Sequence, residues 1–378
     1  MVGDFLYPHG EARANYVQYL ADALVHCGYK VVILGKINSE FCNEMEFSFR
    51  NVTIKEIEQK GGNRLIRRLC NGRRGFKFYF KHYLEQFKPC EDDVFITFGG
   101  EFIRLPVRTL RDKYGFKLIS CPLEWFGREQ YASEEQYSEK QKEFNMIHKC
   151  DAVFPISHNI AREFSELPQL IIPPLVDIAE SKLKEKKSDC YNIILPANGM
   201  MKDAFESMIK GFSLLTDEEL KKVNFHIKGV KKEKIIDCIG EKQWDRIKNR
   251  IFLHHWMKYD ELVSLYEKMH FLILARDVNQ MTQSNFPSKV PETMAYGIVP
   301  IVSRVGDYTK YYLKDEINSF IFDGCTAKDC CNAYKKAIET EFDRYNEMSR
   351  ESRKCVEEKF DYRNWIDPLK NFIEDLFV

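Results

Sequence analysis

Hydrophobic positions along this chain follow two spacings. Between residues 12 and 27, Val17, Leu20, Ala21 and Leu24 recur at the interval that lines up one face of a helix. The short apolar run Val31-Val32-Ile33-Leu34 follows and ends at Gly35, while Val2 to Leu6 reads as a first strand ahead of the helix. Further strands are predicted at Val94-Phe95-Ile96-Thr97, Phe116-Lys117-Leu118-Ile119 and Ala152-Val153-Phe154-Pro155-Ile156, with helical or polar segments between them. Strands alternating with helices predict a parallel sheet in an α/β domain.

The alternation breaks at Ile171-Ile172-Pro173-Pro174-Leu175-Val176-Asp177, and the charged stretch Glu180 to Lys187 follows. That break divides residues 1–174 from residues 175–360. A second series begins with Asn192-Ile193-Ile194-Leu195 and continues through Phe225-His226-Ile227, Ile251-Phe252-Leu253, Phe271-Leu272-Ile273-Leu274, Val299-Pro300-Ile301-Val302 and Phe320-Ile321-Phe322. Between its first two strands, Phe205, Met208, Ile209 and Phe212 mark a buried helix face. In residues 361–378, Trp365, Leu369, Phe372 and Ile373 make an amphipathic helix that can pack back on the N-terminal domain. The expectation is two tandem α/β domains facing across a cleft, with ligands at the carboxyl ends of the strands.

The densest chemistry lies between Phe286 and Gly297. Ser288 is placed to cap a short helix, Pro291 falls in its first turn, and Gly297 suits its end. Lys289 then stands at the positive end of a helix dipole, where a cation is unfavourable unless an anion binds beside it. Glu292 is one turn further on. A cation for phosphate followed by a carboxylate for a sugar diol points to a nucleotide-sugar site.

Lys289 to Ile301, with Arg276-Asp277 before it and Val305-Gly306-Asp307 after it, resembles the donor region of glycosyltransferase family 4. Gly10-Glu11-Ala12-Arg13 looks like the family's first loop, and Leu123-Glu124-Trp125-Phe126 follows a middle strand. Pro173 to Asp177 resembles its interdomain connection, Gly199 to Asp203 its phosphate loop, and Asp315 to Phe320 its late acidic turn. The resemblance implies a GT-B fold of two Rossmann-like domains, with donor on the C-terminal domain and acceptor on the N-terminal one. It implies a retaining transfer of a sugar from a UDP- or GDP-sugar to a hydroxyl of a glycan or polyprenyl-diphosphate-linked glycan. Synthesis of surface or extracellular polysaccharide is the setting it points to. The family commonly has two glutamates separated by seven residues. Here Ser284 pairs with Glu292, a Pro-Ser-Lys variant lacking the first glutamate. Glu292 is therefore expected on the donor ribose, and contacts to the transferred sugar are unassigned.

Lys202 matches the lysine of the family's phosphate pair, and a point charge on a flexible stem suits a leaving diphosphate. The usual arginine is missing, with Met200 and Met201 nearby. Arg276 and Lys289 are its candidate replacements, although Arg276 reads equally as a surface salt bridge. Gly10 lets backbone approach a ligand or serves a tight turn. Glu124 reads as an acceptor-hydroxyl ligand or base, or as one half of an ion pair. Trp125 and Phe126 read as core. The alternatives in function are a sugar-nucleotide epimerase or hydrolase of the same fold, or a degenerate glycan-binding partner protein.

Composition narrows this further. The 378 residues are 44% apolar and 30% charged, and Lys and Arg balance Asp and Glu at 57 each. No global field recruits nucleic acid. Between residues 64 and 88, however, Arg64, Arg67, Arg68, Arg73, Arg74, Lys77, Lys81 and Lys88 interleave with Phe76, Phe78, Tyr79, Phe80 and Tyr83. That cluster reads as a solvated helix face, or as a peripheral membrane contact. Twelve scattered cysteines read as thiols in a reducing compartment. No signal peptide and no apolar run of about 20 residues is evident, so the cytoplasm, at the inner face of the cell membrane, is the expected location. His9, His158 and His254-His255 show no metal spacing, and there is no Asp-x-Asp. No metal and no cofactor beyond the nucleotide-sugar substrate is expected.

Overall fold

Every apolar run read as a strand pairs in one of two sheets. The computed structural model describes residues 1–8, 12–37, 46–56, 81, 84–99, 106–183, 190–196, 202–255, 257 and 259–378. One unit comprises Met1–Leu175 with Tyr362–Val378, the other Val176–Asp361. Gly10, Gly199, Met200, Met201 and nearly all of the basic cluster between residues 64 and 88 lie outside the described residues.

The first unit holds strands β1 (Val2–Tyr7), β2 (Val32–Ile37), β3 (Glu46–Phe49), β4 (Val52–Glu56), β5 (Val94–Phe98), β6 (Lys117–Ser120) and β7 (Ala152–Val153), ordered β3-β4-β2-β1-β5-β6-β7. All neighbours are parallel except β3 and β4. Gly35 does not end β2 but lies inside it, and a Cβ there would come within 2.9 Å of the Phe5 ring. The β3–β4 hairpin is absent from the sequence reading. Its turn residues Arg50 and Asn51 adopt positive φ without the glycine that usually signals such a turn. The C-terminal segment is a turn over Tyr362–Trp365 and a helix over Ile366–Asp375. Tyr362 stacks on Tyr19 with centroids 6.4 Å apart, Phe372 meets Phe154, and Leu369 and Ile373 are buried.

In the second unit, strands β8 (Tyr191–Pro196), β9 (Val223–Lys228), β10 (Ile251–His254), β11 (Phe271–Leu274), β12 (Val299–Ser303) and β13 (Phe320–Phe322) form an all-parallel sheet ordered β10-β9-β8-β11-β12-β13. Burial alternates along β9, with Val223, Phe225 and Ile227 inside. They join Met208, Ile209 and Phe212 of the helix Phe205–Ser213, and Tyr334 of the helix Ala327–Ile338, in one core. Each large apolar side chain in it contributes roughly 2 kcal/mol. Those two helices touch at Gly211, where a Cβ would lie 2.7 Å from the Ala327 carbonyl oxygen and from the Cys330 Cβ. Any larger residue at position 211 pushes them apart.

Candidate functional site

Parallel strands end on a common edge, and the carboxyl edge of the second sheet carries three charged side chains and a serine. β8 leads to Asp203, β9 ends at Lys228, β11 leads to Arg276 and β12 ends at Ser303. The register sets Lys228 opposite Pro196 on one side and His254 on the other. The backbone fixes this edge tightly. Arg276 N–H donates to Ser303 Oγ at 2.7 Å, Ser303 Oγ donates back to the Arg276 carbonyl at 2.9 Å, and Ala204 N–H donates to the Ala275 carbonyl at 2.8 Å.

These anchors bring Asp203 between two cations. Arg276 Nε donates to Asp203 Oδ1 at 2.8 Å, its Nη1 donates to Asn285 Oδ1 at 3.0 Å, and Lys289 Nζ lies 3.5 Å from Asp203 Oδ2. The Arg276 and Asp203 side chains are 4% and 6% exposed, against 19% for Lys289. Burial pushes the Asp203 carboxyl up, but Arg276 and Lys289 more than offset it and hold it below the usual carboxylate range. For Lys289 burial is the largest influence and lowers its pKa; Asp203 opposes that and Arg276 adds to it. The trio carries one surplus positive charge. Glu292, one turn along the same helix, acts on Lys289 and also on Lys228, whose pKa burial lowers. Among the described residues the Lys228 ammonium has no hydrogen-bond or ion-pair partner.

Two expectations change here. Ser288 does not cap the helix Lys289–Met294: it is itself helical, with φ −57° and ψ −26°, and its side chain makes no cap bond. The turn begins earlier, since Val290 N–H bonds to the Pro287 carbonyl and Glu292 N–H to that of Ser288. That helix has six residues, too short for its dipole to govern Lys289. The anion beside Lys289 is Asp203, supplied by the chain itself. Arg276 is not at the surface; its ion pair is buried, and its guanidinium is committed to Asp203 and Asn285.

Lys202 directly precedes Asp203 and is partly exposed. Glu124 belongs to the other unit, where Trp125 stacks on Phe144 at 5.0 Å and donates from Nε1 to Gln141 Oε1. Ser284 is fully buried. Asp203, Asn285 and Lys228 were not singled out by the sequence reading. The signal for Lys228 is a lysine closing an alternating strand just before Gly229, which has φ 84°. His226 Nδ1 meets His254 Nε2 at 3.0 Å, and burial, then His254 and Lys268, push His226 down to about 4. Among the described residues no three His, Cys, Asp or Glu side chains cluster as metal ligands, and no helix is long and apolar enough to cross a membrane.

Residues 180–355, within the second unit, match the family of glycosyl transferases group 1. No curated protein sequence matches the chain. Among solved structures, the sucrose-phosphate synthase of Thermosynechococcus elongatus is similar with a TM-score of 0.75 at 14% identity, over 100% of this chain and 99% of that one. HepE of Anabaena, in complex with UDP and glucose, gives 0.70 at 12%, over 99% and 100% of the two chains. The trehalose-6-phosphate synthase of E. coli, bound with UDP-2-fluoro glucose, gives 0.70 at 11%, over 99% and 98%. The two units together have the GT-B fold.

Proposed function

We propose that this glycosyltransferase moves a sugar from a nucleoside diphosphate sugar, a UDP-sugar in the first instance, to a hydroxyl of a glycan or lipid-linked glycan with retention of configuration. The observation that carries this reading is the buried Asp203, Arg276 and Lys289 trio with its surplus positive charge, set beside Glu292 at the carboxyl edge of the sheet. A diphosphate is the anion that such a charge suits, and Glu292 is assigned to accept hydrogen bonds from the ribose diol. Uracil is taken as the base because HepE and the E. coli synthase are bound with UDP or a UDP-sugar.

In the reaction the bond between the sugar C1 and the diphosphate oxygen breaks, and the acceptor oxygen bonds to C1 on the same face. The acceptor proton passes to the departing diphosphate oxygen. Lys289 and Lys202 stabilise the charge that grows on that group, which is the largest contribution the protein makes. Arg276 holds Asp203 and, through it, the resting position of Lys289. Glu124 is assigned to the acceptor. The Pro-Ser-Lys variant of family 4 is the branch this site fits, and residues 64–88 are the proposed contact with a membrane surface.

The reading is tested by thermal shift with UDP, GDP and their glucose conjugates, since a ligand that binds only the native state raises its apparent stability. Lys289→Ala, Lys202→Ala and Glu292→Ala are each expected to weaken nucleotide binding at least tenfold, a loss of about 1.4 kcal/mol, with the nucleotide-free midpoint retained. Wild-type affinity in all three sinks the site. Conversion of the donor alone to an isomer, with no acceptor needed, replaces transfer by epimerisation.

A further inference from the structure

The helix that carries Lys289 and Glu292 has only six residues, and a helix that short takes its position from what holds its ends. Just past its carboxyl end it is gripped by side chains of the helix Phe342–Lys359. Arg353 Nη1 donates to the Ala295 carbonyl, and Ser349 Oγ donates to the Gly297 carbonyl at 2.6 Å. Gly297 adopts φ 67°, and a Cβ there would lie 2.3 Å from Leu183 Cδ1 and 2.5 Å from Ser349 Oγ. The end of the donor helix is thereby pinned.

Arg353 holds a second segment at the same time. Its Nη1 lies 2.7 Å from Ser181 Oγ and 3.2 Å from the Ser181 carbonyl, and its Nη2 donates to the Ile178 carbonyl at 3.2 Å. Ser181 Oγ donates in turn to the Ile178 carbonyl at 3.1 Å. These residues form the turn Ile178–Glu180 and its end, in the stretch with which the second unit begins at Val176. Val176 N–H donates to the carbonyl of Phe360, where the helix Phe342–Lys359 closes, at 2.9 Å. Arg353 is itself fixed, since its Nε donates to Glu357 Oε1 at 2.8 Å and its side chain is only 14% exposed. Bonds from one planar guanidinium set their acceptors relative to each other. Ala295 and Ser181 therefore move together or not at all while both are bound.

We propose that Arg353 is a positioning residue that couples the donor helix to the segment joining the two units: occupation of Lys289 and Glu292 by the donor steadies Ala295, and Arg353 passes that restraint to Ile178 and Ser181. The coupling is reciprocal, so the joining segment contributes to donor affinity without touching the donor. This inference rests on the nucleoside diphosphate reading of the site.

The experiment uses the full chain, with UDP as the probe, and follows amide hydrogen exchange, which reports local opening, in peptides covering residues 176–183 and 289–298. In wild type, saturating UDP is expected to slow exchange in both. Arg353→Lys keeps the charge but loses the planar fork, so one ammonium no longer spans both segments. UDP is expected to slow only the 289–298 peptide in this variant, with affinity about fivefold below wild type. A residue that merely supports the fold would speed exchange equally with and without UDP. A 176–183 peptide whose response to UDP is unchanged in Arg353→Lys, or absent in wild type that binds UDP, therefore overturns the coupling. A second arm needs no nucleotide. Ser181→Ala removes only the hydroxyl that Arg353 grips, and it is expected to speed exchange in the 289–298 peptide of the otherwise wild-type chain but not in Arg353→Lys. No acceleration in the former, or equal acceleration in both, also overturns the coupling. If wild type ignores UDP and GDP, the donor reading fails, and the second arm still decides the link.

Discussion

Each unit buries an aspartate on an arginine, and the two are built differently. In the first unit, Tyr7 donates to Gln18, Gln18 Nε2 donates to Asp22 Oδ1 at 2.8 Å, and Arg50 lies 3.1 Å from Asp22 Oδ2. Gln18 bridges Tyr7 and Asp22, and Arg50 supplies the counter-charge. In the second unit Asp203 faces two cations, one at 2.8 Å and one at 3.5 Å. In the first a carboxylate faces an arginine; in the second two cations converge on one carboxylate, and Glu292 acts on the more exposed of them. Burial of charge alone therefore does not mark a site. A second cation on the same carboxylate distinguishes this one.

The most severe way to break that contrast is to neutralise each aspartate. Asp203→Asn leaves Arg276, 4% exposed, without its counter-charge and is expected to cost about 3–5 kcal/mol in chemical denaturation. UDP should still stabilise the variant at least as much as wild type, because the diphosphate no longer competes with a resident carboxylate. Asp22→Asn is expected to cost less, about 1–2 kcal/mol, since Arg50 is 25% exposed and can turn to water. Its response to UDP should match wild type. Equal costs, or a UDP response lost in both, would erase the distinction between the two clusters.

A milder probe is Lys228→Met. Removing a half-buried ammonium with no partner should leave the nucleotide-free midpoint unchanged or raise it, while UDP affinity drops roughly fivefold, equivalent to about 1 kcal/mol. A lowered midpoint with unchanged affinity would make Lys228 structural. A further test concerns pH. His226 is held near 4, below the ordinary 6.5, by burial and then by His254 and Lys268. The unfolded chain therefore takes up that proton first. Stability is complete above pH 6.5 and is lost as pH falls towards 4, by up to about 3 kcal/mol. His226→Gln should flatten that decline, and a slope unchanged in this variant would place its origin elsewhere.

Much of the fold was legible because its signals are local. The apolar runs of β8 to β13 and the face of Phe205, Met208, Ile209 and Phe212 stand within short windows, and spacing alone assigns them to strand or helix. The β3–β4 hairpin escaped because Arg50 and Asn51 turn the chain without glycine. At the site, Lys289 and Glu292 stood out through their order in the chain. Ser288 misled, because the turn actually begins at Pro287 and leaves no N–H for its side chain to cap. Asp203 was passed over although it follows Lys202 directly.

By itself the sequence determined the two α/β series, the break near residue 175, and a lysine and glutamate one turn apart after a buried strand. Only tertiary structure decided what Lys289 meets. Asp203 lies 86 positions before it and 73 before Arg276, and their approach depends on the order in which β8, β11 and β12 enter one sheet. Periodicity is set by backbone geometry within a few residues, whereas the partner of a charge is set by whichever distant strand end the sheet brings alongside.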